Sequence, residues 1–226
     1  MMEKNKLNHL AIILDGNRRF AKSKGLPSYK GHEAGAEKVE KLLEWAKEFE
    51  IRELTFYILS TENLKRDKKE LNYLFNLFKK WFKKFKKDKR IHENKVRIKF
   101  IGDLSLIPSN IRKLAKEIEN KTKDYKNYKI NFCFAYGGRL EILQAIKKLK
   151  KKRRITEEDV TKALWLSSEP DLIIRTGNRI RTSNFLPWQS VYSEWIFLKK
   201  MWPEFNKKDL LLCIKNFQKR KRNFGK

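Results

Sequence analysis

An open, mostly parallel six-stranded sheet with helices on both faces, an α/β fold, is what the sequence predicts, and two observations predict it. Short apolar runs rich in β-branched and aromatic residues recur along the chain, and stretches with helical period lie between them. Runs apolar at every position read as strands buried on both faces, the habit of parallel sheets. Strands that alternate with helices call for right-handed crossovers between parallel neighbours.

The first run, Leu10 to Leu14, ends in Asp15-Gly16-Asn17-Arg18-Arg19. Residues 33 to 49 then place Ala36, Val39, Leu42, Leu43 and Ala46 on one helical face. The second run, Leu54 to Leu59, is followed by Ser60-Thr61-Glu62-Asn63, and residues 70 to 86 set Leu71, Leu74, Phe75, Phe78, Trp81, Phe82 and Phe85 on a second helical face. Such a face reads first as core; beside an anion site it could also wall a channel for an apolar chain. Val96 to Ile101 leads to Gly102-Asp103, and Ile130 to Ala135 leads to Tyr136-Gly137-Gly138-Arg139. Leu172 to Ile174 runs into Arg175-Thr176-Gly177, with Arg181-Thr182-Ser183-Asn184 close behind, and Trp195 to Leu198 is the sixth run. No linker or repeat divides the 226 residues, so one domain over 1–226 is expected, with a basic tail from about residue 215.

The net charge of +28 admits nucleic acid, an anionic membrane surface or anionic substrates as partners. Three segments hold most of it: residues 79–90 carry eight Lys/Arg against one acid, 147–154 carry seven and 215–226 carry six. All three lie outside the motifs described below and read as solvated faces, with membrane contact as the intermediate reading. The aromatics of 75 to 85 fall on one helical face, so they predict burial rather than a base-stacking surface, and no nucleic acid is expected. No apolar run approaches the ~20 residues of a membrane span and no signal-peptide core is seen, so a cytoplasmic protein is expected. Two cysteines, Cys133 and Cys213, exclude a disulfide framework, and three scattered histidines argue against zinc.

In open α/β sheets the ligand crevice lies outside the carboxyl ends of the strands. Five strand ends here supply glycines, arginines, hydroxyls, amides and a carboxylate, the inventory of a phosphate site with a metal. Asp15-Gly16 alone is a common turn dipeptide. Leaving a buried strand for a segment with Arg18, Arg19 and Lys22, the same turn could hold an anion while Asp15 holds Mg²⁺. Arg175 and Arg181 straddle Gly177 and precede Ser183, and guanidinium groups bind phosphate bidentately. His32 reads equally as a helix cap or as a donor to phosphate, and Glu194 by default as the structural partner of a cation.

In their order these motifs resemble the cis-prenyltransferases, the undecaprenyl or polyprenyl diphosphate synthases, from His9 to about Trp202. The blocks are His9 through Arg19, Gly31-His32, Phe56 to Asn63 with Arg66, Ala135 to Arg139, Asp171 to Thr176, and Arg181 through Glu194. The aspartate-rich Asp-Asp-x-x-Asp box of the trans-type synthases does not occur. The resemblance implies Mg²⁺-dependent condensation of isopentenyl diphosphate with an allylic diphosphate, farnesyl or geranylgeranyl, to a Z-polyprenyl diphosphate. It implies Asp15 as metal-linked carboxylate and Glu194 as second Mg²⁺ contact. Gly16, Asn17, Arg18, Arg19 and His32 would hold the allylic diphosphate, Asn63 and Arg66 would assist proton removal, and Arg175, Arg181 and Ser183 would clamp isopentenyl diphosphate, with Glu62 counted among the substrate-binding residues. It also implies a homodimer working at the membrane surface.

The chain departs from the family pattern at Asn178-Arg179, where relatives commonly carry Gly-Glu, and at Ser28, Leu64 and Asn223-Phe224-Gly225. These departures point to weak activity or an unusual allylic substrate and not to a dead subunit, because Asp15, Asn63, Arg175, Arg181, Ser183 and Glu194 are all present. A non-catalytic partner subunit of a prenyltransferase complex is the alternative, and a basic nucleic-acid-binding protein the next.

Overall fold

The structure is a computed structural model that describes residues 6–220; the Asn223-Phe224-Gly225 positions lie outside the described residues. The strands are β1 (His9–Ile13), β2 (Glu53–Ser60), β3 (Val96–Ile101), β4 (Tyr128–Tyr136), β5 (Leu172–Arg175) and β6 (Glu194–Phe197). The helices are α1 (Asn17–Ser23), α2 (Ser28–Glu48), α3 (Lys68–Lys87), α4 (Lys89–Glu93), α5 (Ser109–Thr122), α6 (Gly138–Leu149), α7 (Glu157–Ala163) and α8 (Lys207–Lys219). One sheet runs in the order β3-β4-β2-β1-β5-β6, and every adjacent pair is parallel. All six predicted strands are present.

From β1 the chain moves to one side of the sheet through β2, β3 and β4, then crosses to β5 and β6 on the other side. The order therefore reverses between β1 and β5, and a crevice at such a switch point is where ligands of open α/β sheets bind. The loops leaving these two strands begin with Leu14-Asp15 and Thr176.

Local chemistry starts the helices that frame this crevice. The Asp67 carboxylate accepts the backbone N–H of Lys69 at 2.8 Å and of Glu70 at 3.3 Å, so α3 begins there. Reciprocal capping boxes open α7 at Thr156 and α8 at Asn206. At α1 no side chain caps the first turn; Gly16, with φ +109°, makes the turn out of β1. A Cβ there would lie 2.7 Å from Met201 Sδ and 2.9 Å from Met201 Cα, so position 16 excludes a side chain as well as requiring positive φ.

The sheet buries its two faces unequally. One face carries the large core, where Leu10, Ile12, Leu54 and Phe56 pack under Leu42, Leu74, Phe82, Phe85, Ile111 and Phe217. On the other, Ala11, Ile13, Tyr57, Cys133 and Ile173 are covered by Leu166, Phe185 and Leu186. Each fully buried large side chain contributes roughly 1.5–3 kcal/mol, so the first face dominates stability. Burial on both faces holds for the inner strands and fails at β6, whose four residues are all half-buried because the strand has a neighbour on one side only. Both cysteines are buried, and burial pushes the thiol pKa of each upward, Cys213 to about 12. No described helix is long and apolar enough to cross a membrane.

Candidate active site at the β1–β5 switch point

A cleft of about 1190 Å³ opens at the carboxyl ends of the strands. Every site residue expected from the sequence lines it except Glu194: Asp15 to Arg19, His32, Glu62, Asn63, Arg66, Arg175, Arg181 and Ser183 converge there from five separate segments. Its inner part is apolar, walled by Val39, Leu59, Leu74, Leu77, Phe78, Trp81, Phe82 and Phe132. The α3 face that reads first as core is thus both core and wall of the cleft. Leu77, absent from the expected face, completes it.

Asp15 is the hub. Arg19 Nη2 donates to its Oδ1 at 2.9 Å and Arg175 Nη2 donates to its Oδ2 at 2.9 Å. One guanidinium comes from the β1 loop and α1, the other from β5, so the carboxylate joins two cationic groups that are distant in sequence. Arg175 is 4% exposed and is fixed further by donating to Ser183 Oγ at 2.7 Å and to the Arg181 carbonyl. Thr176 Oγ1 donates to the Asp15 carbonyl at 2.7 Å, and Arg19 Nη1 to the Gly177 carbonyl. Gly177 has φ +87°, and a Cβ there would stand 2.8 Å from Arg19 Nη2. The β5–β6 loop also holds Asn178, Ser183, Asn184 and Leu186 at positive φ. Non-glycine residues persist in that region only where the surroundings over-determine them, and such strain gathers at ligand sites.

The second cationic group surrounds His32 and Glu70. His32 lies inside α2, not at its cap, which is Pro27; its ring therefore faces the cleft rather than the helix end. Glu70 accepts from Arg66 Nη1 at 3.1 Å, with His32 Nε2 at 3.7 Å and Arg18 Nη1 at 3.8 Å. Burial first, and then the Arg66 guanidinium, lower the His32 pKa to about 4, while Glu70 opposes the shift. His32 is thus neutral at pH 7, and its 3.7 Å approach to Glu70 is too long for a hydrogen bond. Desolvation likewise lowers the Arg66 pKa against the pull of Glu70. Sequence reading missed Glu70, although its position four residues after Arg66 at the start of a helix was the available signal.

The turn after β2 adds polar groups. Irregular β2–β4 register at Tyr57, Leu59 and Ser60 re-aims the end of β2 toward the cleft. Asn63 is held by paired bonds with Ser60: its N–H donates to Oγ at 3.1 Å and its Oδ1 accepts the Ser60 N–H at 3.3 Å. Asn184 Nδ2 donates to Glu62 Oε1 at 3.1 Å, bridging this turn to the β5–β6 loop. Among the buried polar atoms without a hydrogen bond are Asn17 Oδ1, His32 Nε2 and Arg175 Nε. Buried polar groups are normally paired, and a cluster of exceptions marks a place prepared for an outside partner.

Glu194 stands apart from the other expected site residues. It is the first residue of β6, level with Leu172 of β5 and hence with Leu10 of β1, at the amino ends of the strands. Arg175, at the cleft, pairs instead with Phe197. Three residues of strand span about 10 Å, so Asp15 and Glu194 of one chain do not share an ion. The first residue of a strand in a parallel sheet sits at the end opposite the crevice, and there Arg220 donates to Glu194.

Among the described residues no three His, Cys, Asp or Glu side chains converge on a metal position. Asp15, 29% exposed at its side chain, keeps lone pairs beyond the two taken by arginine. With the unpaired Asn17 Oδ1 in the same turn, that donor set fits Mg²⁺, which commonly takes one or two protein carboxylates and completes its shell with phosphate oxygens and water. It does not fit a cation held by protein alone.

Comparison with known proteins agrees with this geometry. The undecaprenyl diphosphate synthase family model matches residues 13–225. The tritrans,polycis-undecaprenyl-diphosphate synthase (geranylgeranyl-diphosphate specific) of Pyrococcus abyssi is 46% identical over 96% of this chain and 86% of its own length, and that of Pyrobaculum aerophilum is 44% identical over 96% and 95%. The crystal structure of lavandulyl diphosphate synthase from Lavandula x intermedia in complex with dimethylallyl diphosphate superposes with a TM-score of 0.92 at 30% identity, covering 98% of this chain and 99% of that one. A probable undecaprenyl diphosphate synthase from Campylobacter jejuni gives 0.84 at 35% identity, over 98% and 100%. With the family matched from the end of β1 past the end of α8, the chain belongs to the undecaprenyl diphosphate synthase family, the cis-prenyltransferases, and is a transferase of prenyl groups.

Proposed function

We propose that the protein is a self-sufficient, Mg²⁺-dependent Z-polyprenyl diphosphate synthase that extends geranylgeranyl diphosphate with isopentenyl diphosphate, giving a lipid-carrier precursor. The observation that carries this reading is the position of Asp15, whose two oxygens each engage a guanidinium from a different segment, Arg19 of α1 and Arg175 of β5, at the mouth of an apolar cleft. The preference for a geranylgeranyl starter rests on relatives named for that specificity.

Arg18, Arg19, His32 and the Gly16-Asn17 turn hold the allylic diphosphate, and Arg175, Arg181 and Ser183 hold isopentenyl diphosphate, with Glu62 ordering the second loop through Asn184. Asp15 is the residue that would hold Mg²⁺, which when bound would supply charge neutralisation for the leaving diphosphate. Fixed guanidinium groups do the same at no cost in reorganisation, because Arg175 is already locked by Asp15 and Ser183. The allylic C–O bond breaks, the isopentenyl double bond attacks the allylic carbon, and a proton leaves the adjacent isopentenyl carbon, so diphosphate and a proton are released per cycle. Asn63 and Arg66 stand on the turn that would flank those carbons. The walls from Leu74 to Phe82 exclude water from the cation and receive the growing chain.

Dimerisation is part of the same proposal. Exposed Val191 (70%) and Tyr192 (61%) next to β6, with Leu143 (54%) and Ile146 (50%) on α6, supply the apolar surface that a second copy would cover. The test of function is incubation with radiolabelled isopentenyl diphosphate, Mg²⁺ and geranyl, farnesyl or geranylgeranyl diphosphate in turn, with products resolved by length. A Mg²⁺-dependent ladder absent in Asp15→Ala is the expected result. No incorporation by folded protein with any starter overturns it in favour of a non-catalytic partner subunit.

A further inference from the structure

We propose that the groove between α3 and α5 is a docking surface for the anionic phospholipid headgroups of a bilayer. The groove encloses about 570 Å³ and six lysines line it against one carboxylate, Glu117. Two of the six are neutralised: Lys84 by Glu40 at 2.6 Å and Lys86 by Glu117 at 2.5 Å. No ion pair among the described residues involves the other four, Lys79, Lys83, Lys87 and Lys113.

Lys79, Lys83 and Lys87 recur every four residues, so they form a single stripe about 12 Å long on α3. Lys113 lies on α5, which packs against α3. Four like charges brought together with no close ion pair, and with Glu117 as the one carboxylate of the groove, repel one another, and an anionic surface relieves that repulsion. The chemistry favours a surface over one bound phosphate. These are ammonium groups on flexible stems, with no arginine fork to fix a single anion. Such a cluster responds to the summed potential of an anionic leaflet. It also disfavours nucleic acid, because Phe78, Trp81, Phe82 and Phe85 of the same helix line the cleft on its opposite side and leave no stacking platform at the groove. With no membrane-crossing helix among the described residues, the contact is peripheral.

The stripe and the cleft wall are two faces of one helix, so docking places the apolar chamber one helix diameter, about 10 Å, from the bilayer. The use of that placement, delivery of an apolar product, rests on the proposed reaction; the docking itself does not.

The experiment is flotation of the full chain with phosphatidylcholine vesicles and with vesicles in which about a third of the lipid is phosphatidylglycerol. One variant replaces Lys79, Lys83, Lys87 and Lys113 by Gln. A second removes the same charge from an exposed segment elsewhere, with Lys147, Lys148, Lys150 and Lys151 replaced by Gln. Each lysine near an anionic leaflet contributes roughly a fivefold factor to partitioning, so the groove variant is expected to lose more than ~100-fold. Wild type and the second variant bind anionic vesicles and ignore neutral ones, and Lys→Arg at the four groove positions retains binding, which separates charge loss from misfolding. Equal losses in the two Gln variants, or retained binding in the groove variant, overturn the proposal. So does binding abolished by inorganic diphosphate at matched ionic strength, which assigns the groove to a free phosphate ligand, or a groove that binds duplex RNA and no vesicle. Prenyl transfer with soluble substrates is measured separately, and its absence leaves the flotation result standing.

Discussion

Each end of the sheet carries a polar cluster among buried strands, and the two are built differently. At the amino end His9 Nε2 lies 2.7 Å from Thr55 Oγ1, Asn131 Nδ2 donates to Thr55 at 3.0 Å and to Glu53 at 2.9 Å, and Ser168 donates to Glu53 at 2.5 Å. Burial would push the Glu53 pKa up, but nearby His9 and the bonds from Ser168 and Asn131 outweigh it and hold the carboxyl below its ordinary value. His9 goes the other way: burial lowers its pKa more than Glu53 raises it, so its 4.0 Å approach to Glu53 is not a salt bridge at neutral pH. No buried polar atom of this cluster lacks a partner. At the carboxyl end Asn17 Oδ1, His32 Nε2 and Arg175 Nε do lack one. A satisfied network specifies a fold, whereas an under-satisfied one, rich in cations and open to a cleft, awaits a ligand.

Mutation separates the ends most widely. Asp15→Ala is expected to lower incorporation of isopentenyl units about 10³-fold or more, some 4 kcal/mol of transition-state stabilisation, with little change in the amount of folded protein. Glu53→Ala should do the reverse, losing about 3 kcal/mol in urea unfolding because buried Asn131 keeps only its bond to Thr55 and half-buried Ser168 loses its acceptor. Activity per folded molecule stays at the wild-type level; an inactive but stable Glu53→Ala protein would show that the amino end also serves catalysis.

Ligand binding sharpens the contrast. Inorganic diphosphate at a hundred times its Kd should stabilise the protein by about 2.7 kcal/mol, read as a rise in Tm. Glu53→Ala keeps this increment and Arg175→Ala loses most of it.

Acidification gives the smallest effect and tells the two ends apart by window. The His32 pKa is about 4 in the folded protein against an ordinary 6.5, so the unfolded chain takes up its proton first. Stability from this group is complete above pH 6.5 and is lost as pH falls toward 4, by about 2–3 kcal/mol. His32→Gln should flatten that part of the profile in ligand-free protein, while the share due to buried His9, which has the same sign, remains. Glu53, with its pKa depressed from 4.5, contributes stability that is lost only below that value. Chemical denaturation at pH 7, 5 and 4 distinguishes wild type, His32→Gln and Glu53→Ala.

The six strands, the cationic strand ends and the family were legible in the sequence because each is a local pattern: an apolar run, a turn dipeptide, a cluster of arginines after a strand. The solvated character of residues 147–154 was legible too, and every basic residue there is exposed. Glu194 was grouped with the metal site by the family resemblance, not by the strand-end logic that located Arg175. Sequence gives a residue's position relative to its strand, but only the parallel register with β5 shows that strand entry lies at the sheet's far end. Glu70 went unnoticed because its role comes from α2 and α3 packing together, which brings His32 and Arg66 to one carboxylate.

By itself, then, the sequence determined the fold class, the inventory of cationic and polar groups at the cleft and the strand ends that carry them, since strand period and turn chemistry act within a few residues. Tertiary structure decided which groups share an oxygen, which helix face became a chamber wall and which lysines remained unneutralised. Those outcomes depend on register and packing between segments as far apart as Asp15 and Arg175, and no local pattern encodes a distance of 2.9 Å across 160 residues.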